Sequence, residues 1–327
     1  MSVKSYAQAI RDCIAQEMRR DGDIFVMGED IAEQGGIFGC TRGLFAEFGA
    51  ERVRNTPISE NSFVGLGVGA ACAGMRPIVE LMYMDFAYLA MDQLLNQAAK
   101  IRYMFGGNAK VPMVIRGQQG IGRGNAGQHS QSVEAIFMHI PGLRVACPAS
   151  PADAAGLLRT AIRDDNPVMF FEHKALYATK GEVPDDEEFA IPFGQARIVR
   201  EGSDATVVAT MLYVDRTLEA AELLEKEGIS CEVIDPRTLV PLDITTIVDS
   251  VKKTGRLVTV HEAHKTGGMG AEIASQVTEQ AFYYLDAPPE RLGAKHCTLP
   301  FNLGLETAVV PQVDEVVAAV KKTMHME

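Results

Sequence analysis

PMVIRGQQGIGRGNAGQHS, residues 112–130, decides how this chain is read. Its first six residues, PMVIRG, read as a strand; glycine and polar residues dominate the rest. GRGNAG (122–127) formally matches GxGxxG. A dinucleotide fingerprint needs a tight strand–turn–helix, and an acid about 20 residues further on to hold the ribose. Here the glycines lie deep in a long loop, and the first acid after them, Glu134, comes far too soon. The better reading is a closely packed loop at the mouth of an α/β sheet, with an NAD-binding oxidoreductase as the alternative of a different class.

Outward from this loop, helical and strand patterns alternate along the chain. Residues 5–20 read as an amphipathic helix and IFVMG (24–28) as a buried strand. A glycine-bearing loop, 29–42, leads to strand RVRNTPI (52–58) and a small-residue helix over 59–74. Strand PIVELMY (77–83) precedes a long helix over 86–105, with Asp85 suited to cap it. After the glycine loop come a helix over 130–140, strand LRVACP, a helix opened by Ser150-Pro151, and strand VMFFE (168–172). Strands separated by helices give a doubly wound, mostly parallel sheet covered on both faces. Residues 179–198, with an acidic run and two prolines, read as a linker between a first domain, 1–178, and a smaller α/β domain, 199–327.

Composition narrows the function. Hydrophobic residues make up 47%, ample for two cores, and the net charge of −12 argues against binding a phosphate backbone. That charge suits solubility or a basic partner surface. The six cysteines form no CxxC pair and sit mostly in apolar company, so they read as buried thiols of a reducing compartment. The opening residues carry charges throughout rather than a signal-peptide core, and no run is long enough to span a membrane. The expected location is the cytoplasm.

Three positions carry candidate chemistry. Glu60, in TPISENSF, sits just past a strand end at the start of a helix, where open α/β sheets bind ligands. An acid there commonly does no more than offset the helix N-terminus. Beside Ile58, Phe63 and Val64 it also suits an apolar crevice that raises a carboxyl's pKa. His129, after the glycine loop, reads either as a structural loop histidine or as a proton donor at the mouth. TAIRDDNP (160–167) closes a helix whose end carbonyls attract cations; ordinary capping competes with a hard-cation site using Asp164 and Asn166. His261 and His264 lack a third ligand and read as structural.

TPISE, GLGVGAACAGMRPIVE, MDQLLNQAAKIRYMFGG, QHSQS, IPGLRV, AIRDDNPVMFFE and VIDPRTLVPLD occur together and in order. Over nearly its whole length the chain resembles the beta subunit of thiamine-diphosphate-dependent 2-oxo acid dehydrogenases, the decarboxylating component of pyruvate, branched-chain and acetoin complexes. The resemblance implies a transketolase-like pyrimidine-binding domain followed by a transketolase-type C-terminal domain. It implies thiamine diphosphate as cofactor. The superfamily's GDG motif, which helps hold the diphosphate and Mg2+, is absent here. An alpha subunit in an α2β2 heterotetramer would therefore supply that half, and a lipoyl-bearing acyltransferase core would take the product.

Carried over residue by residue, Glu60 matches the catalytic glutamate that hydrogen-bonds the pyrimidine and promotes formation of the ylid. Phe86 and Ile58 match apolar neighbours of that ring. His129 matches the active-site histidine that assists intermediates and transfer to lipoyl. Met113, Ala161, Ile162, Asp164 and Asn166 match a structural potassium site. IRYMFGG, HKALYATKGEVP and VIDPRTLVPLD lie closer to the acetoin and pyruvate types than to the branched-chain type, with the acetoin-like branch favoured. A stand-alone transketolase-like enzyme and a non-catalytic scaffold fit less well, given the missing GDG and the retained Glu60 and His129.

Overall fold

A computed structural model describes residues 1–326. They form two compact units: Met1–Gln119 with Ile136–Phe193, and Gly120–Ala135 with the chain from Gly194 onward.

The first unit is built from β1 (Ser2–Ser5), α1 (Tyr6–Arg20), β2 (Ile24–Gly28), α2 (Leu44–Phe48), β3 (Val53–Asn55), α3 (Glu60–Cys72), β4 (Arg76–Leu81), α4 (Ala99–Met104) and β5 (Val114–Gln119). The short α5 (Glu134–Met138) is followed by β6 (Arg144–Ala146), α6 (Pro151–Arg163), β7 (Val168–His173) and β8 (Lys180–Val183). Six strands pair in parallel in the order β6-β7-β5-β4-β2-β3. β2, β5 and β7 are buried along their whole length; β2 and the first four residues of β7 read as continuous apolar runs, whereas β5 carries Arg116 and two glutamines into the interior. Ser5 and Gln8 form a capping box on α1, and the Ser150 hydroxyl caps α6 with Pro151 in its first turn. Buried Glu17 of α1 accepts from Arg159 at 3.1 Å and Arg163 at 2.7 Å, joining the two helices.

Some expected elements differ. β3 is three residues long, so TPI lies outside the strand and bends at Ile58. The single long helix after Asp85 is a 3-10 helix (Met84–Ala90), a π-helical stretch (Asp92–Ala98) and then α4. Asp85 lies inside the first turn and Tyr83 takes the cap position. The buried residues explain the change of winding: Met84, Ala87 and Ala90 recur every three residues, then Leu94 and Ala98 every four. β1 pairs antiparallel with β8; both are polar, mostly half-exposed strands without apolar alternation. Part of the expected linker is therefore a strand of the first unit.

The second unit contains β9 (Arg197–Arg200), β10 (Ala205–Ala209), α7 (Leu212–Glu225), β11 (Cys231–Asp235), β12 (Thr238–Val240), α8 (Ile244–Thr254), β13 (Leu257–His264), α9 (Met269–Ala281), β14 (Glu290–Ala294), α10 (Leu303–Val309) and α11 (Val313–Thr323). Its sheet runs β14-β13-β10-β11-β9, parallel except at β9. The unit also takes in the glycine loop, residues 120–135, which the alternating pattern places in the first domain. Accordingly the helix expected over 130–140 shrinks to the five residues of α5. Among the described residues no helix is long and apolar enough to cross a membrane.

Candidate active-site residues

β2 and β3 end side by side, and both lead into acids. Gly28 closes β2; a Cβ there would meet the Glu80 carbonyl oxygen at 2.8 Å, so the close strand packing requires glycine. Thr56 N–H donates to the Gly28 carbonyl at 2.9 Å, tying the TPI stretch to that strand end. Glu60 then opens α3 and is only 5% exposed, whereas Ile58, two residues earlier, is 83% exposed. The small residues of α3 let it lie close to the sheet: a Cβ on Gly67 would meet Met113 Cε at 2.8 Å and Val79 Cγ2 at 3.0 Å. Helix and strand ends together fix Glu60 at the carboxyl edge of the sheet. Phe86, half-buried, sits on the 3-10 helix that follows β4.

Glu29 is the acid that sequence reasoning missed, although it follows IFVMG as directly as an acid can follow a strand. It is 5% exposed, and its Oε1 is buried without a hydrogen-bond partner. Burial, then the nearby Glu60 carboxylate, then Asp30 push its carboxyl up to about 7. Glu29 therefore holds its proton up to near neutrality. The raised group adds stability below its unfolded pKa and loses it as pH rises through about 7. Glu29→Gln should therefore stabilise the chain at pH 8 by about 1–2 kcal/mol, allowing for solvent screening, and by less at pH 5.5. Urea melts of both proteins at the two pH values check this; an equal gain at both would remove Glu29 from the titrating pair.

Below this edge lies a buried ion cluster, also unannounced by the sequence. Arg116 of β5 donates through Nε and Nη2 to Glu172 of β7, both at 2.6 Å, and through Nη1 to Glu80 of β4. Tyr177 Oη adds a 2.6 Å hydrogen bond to Glu172 and stacks on Phe38, which fixes the 29–42 loop. Burial pushes the Glu80 carboxyl up, while Arg116 pulls it back.

His129, half-buried, follows a short 3-10 turn (Ala126–Gln128) in the second unit. Its loop is held by two buried carboxylates. Glu262 Oε1 accepts from Ile121 N–H at 2.8 Å and from Ser132 Oγ at 2.9 Å. Glu306 Oε2 accepts from Gly122 N–H at 3.1 Å and Gly124 N–H at 3.3 Å. The backbone requires glycine here: Gly122 and Gly124 have φ of +111° and +62°, and a Cβ on Gly124 would meet the Phe301 carbonyl oxygen at 2.7 Å. In GRGNAG two amides that a dinucleotide phosphate would need are already held by an internal carboxylate. The glycines of GGMG (267–270) have a similar structural cause. A Cβ on Gly268, Gly270 or Gly293 would press on the His261 imidazole, whose pKa burial lowers to about 4.

At the end of α6, Arg76 Nη1 donates to the carbonyls of Ile162 at 3.0 Å and Asp164 at 3.1 Å. The Asp164 carboxylate accepts from the backbone and side chain of Asn166, whose own Oδ1 accepts from Arg102 at 2.7 Å. The Ala161 carbonyl takes the Asp164 N–H, and the Met113 carbonyl takes Val168 N–H at 2.9 Å. Two guanidiniums thus supply positive charge at this corner. Among the described residues no group of three or more His, Cys, Asp or Glu side chains could hold a metal ion.

With these positions set, comparison with known proteins is informative. Residues 2–180 match the transketolase pyrimidine binding domain, and residues 194–316 the transketolase C-terminal domain. The chain is 50% identical over 318 residues to the pyruvate dehydrogenase E1 component subunit beta of Rickettsia felis, covering 97% of each. It is 48% identical over 326 residues to the acetoin:2,6-dichlorophenolindophenol oxidoreductase subunit beta of Cupriavidus necator, covering 97% of this chain and 96% of that one. Among solved structures, an inactive beta4 tetramer of a split-gene transketolase superimposes with a TM-score of 0.79 over 98% of both chains. At 24% identity that likeness shows the fold.

Proposed function

The chain belongs to the family of thiamine-diphosphate-dependent beta subunits of pyruvate and acetoin dehydrogenases, and on that premise we propose that it works with an alpha subunit in an α2β2 heterotetramer that passes acyl groups to a lipoyl-bearing acyltransferase core. The observation that carries this reading is the buried Glu29–Glu60 pair at the carboxyl edge of the sheet.

The donor set fits the pyrimidine of the cofactor: a buried carboxyl that can share a proton with a ring nitrogen, a second acid that keeps a proton near neutrality, and apolar Ile58 and Phe86 to pack on a ring. When bound, thiamine diphosphate would supply the nucleophilic carbon and the electron sink that the substrate carbonyl needs. Glu60 would hydrogen-bond the pyrimidine nitrogen and hold a proton there. Glu29 keeps that proton within the pair by resisting ionisation beside it. His129, in its clamped loop, gives or takes a proton when the acyl group moves to lipoyl. The alpha subunit holds the diphosphate and Mg2+, since GDG is missing here.

Acetoin and pyruvate both deliver an acetyl unit, and either fits; we favour acetoin on IRYMFGG, HKALYATKGEVP and VIDPRTLVPLD, with a branched-chain oxo acid as the alternative. The cytoplasm is part of the same proposal, supported by six free cysteines. So is potassium at Met113, Ala161, Ile162, Asp164 and Asn166, which would share the Ile162 and Asp164 carbonyls with Arg76. Reconstitution with the alpha chain tests the whole: activity is expected with acetoin or pyruvate in the pair and absent from either chain alone. A fully active isolated chain would overturn the two-subunit reading. In that preparation, replacing K+ by Na+ should lower the melting temperature; an unchanged melt would remove the ion.

A further inference from the structure

The fold assigns a task to Glu306 that the proposed chemistry leaves open: we propose that it is a positioning residue that clamps the loop carrying His129. This rests on the proposed role of His129 in acyl transfer.

Glu306 lies on α10, far along the chain from residues 120–135, and is 1% exposed. Burying a carboxylate costs free energy unless strong hydrogen bonds offset it. Here the offset is the two loop amides, Gly122 N–H and Gly124 N–H, converging on one oxygen. A charged acceptor strengthens such bonds, and these two amides are the partners of Oε2 while Oε1 is buried without one. They hold the glycine turn in a left-handed conformation that would otherwise be one of many open to glycine. Glu262 pins the loop on either side, at Ile121 and Ser132. The Gly120 N–H closes the loop neck onto the Gln131 carbonyl at 3.1 Å. His129 falls between these anchors, so the backbone that carries it depends on a turn that Glu306 fixes. α10 itself is secured by Asn302, whose side chain accepts from Gly304 and Leu305 N–H.

The test uses the reconstituted complex with three variants: Glu306→Ala, Glu306→Gln and Gly124→Ala. Amide hydrogen exchange over residues 120–132 is read alongside two assays, turnover with an artificial electron acceptor and acylation of a lipoyl domain. Glu306→Ala should speed exchange in that segment by at least about tenfold. It should slow lipoyl acylation by a similar factor while leaving acceptor turnover within about twofold. Glu306→Gln, which keeps one acceptor oxygen, should recover most of the protection. Gly124→Ala, which strains the turn while leaving Glu306 intact, should reproduce the alanine phenotype. Unchanged exchange in Glu306→Ala or in Gly124→Ala overturns the clamp, and so does an equal loss in both assays. A parallel His129→Ala complex separates the two readings. If it keeps full lipoyl acylation, the role given to His129 is wrong, and exchange alone then judges the clamp.

Discussion

Glu60→Gln in the assembled complex should lower turnover by about 10²- to 10⁴-fold, the range expected when a positioned proton-transfer group is lost. Glutamine keeps the size of the side chain and its place at the head of α3, so assembly with the alpha chain should persist. It cannot exchange a proton with a ring nitrogen, and that difference is the one being measured. The substitution also removes one of the charges that hold the Glu29 proton, so Glu29 should titrate below its present value of about 7. Steady-state rates and size-exclusion profiles of wild type and variant decide the matter. Wild-type turnover in an intact variant complex would take Glu60 out of the mechanism.

Arg116→Met should be among the most destabilising substitutions in the first unit, by about 3–5 kcal/mol. Methionine fills much of the volume but leaves Glu80 and Glu172 buried without their cation. The Glu80 carboxyl, which burial already pushes up, would then lose the guanidinium that pulls it back and rise further. Stability is then present at low pH and lost as pH rises through the new value. The deficit should thus be larger at pH 8 than at pH 5. Urea denaturation at both pH values checks it. A midpoint unchanged at pH 8 would mean that the cluster contributes no net stability.

Much of the fold was legible because a parallel sheet buried on both faces leaves continuous apolar strands. IFVMG is a strand over all five residues, and Ser150-Pro151 opens α6 with the expected capping hydroxyl. Elements with weak local signals were missed. β1 and β8 are polar, and their pairing depends on residues nearly the whole first unit apart. The helix after Asp85 has a helical apolar pattern, yet its buried residues step by three and then by four, so the backbone overwinds and then underwinds.

Glu60 and His129 were both marked by position, each beyond a strand's carboxyl end. Glu29, Glu262 and Glu306 were not, because what matters about them is burial and contact, which a linear pattern does not carry. Glu306 is the clearest case. The sequence shows an acid in NLGLE and six glycine-loop residues far upstream, with no sign that they meet.

By itself the sequence determined the alternation of strand and helix, the missing GDG and the acid that opens α3. Each follows from local residue order: apolar periodicity, an absent motif, a carboxylate after a strand. Tertiary structure alone decided that GRGNAG spends two amides on Glu306, that Arg116 sits between two buried acids, and that burial and the nearby Glu60 raise the Glu29 carboxyl. Those outcomes depend on which distant groups lose water together. The cost of burying charge must be offset by whatever partner the fold brings within hydrogen-bond reach.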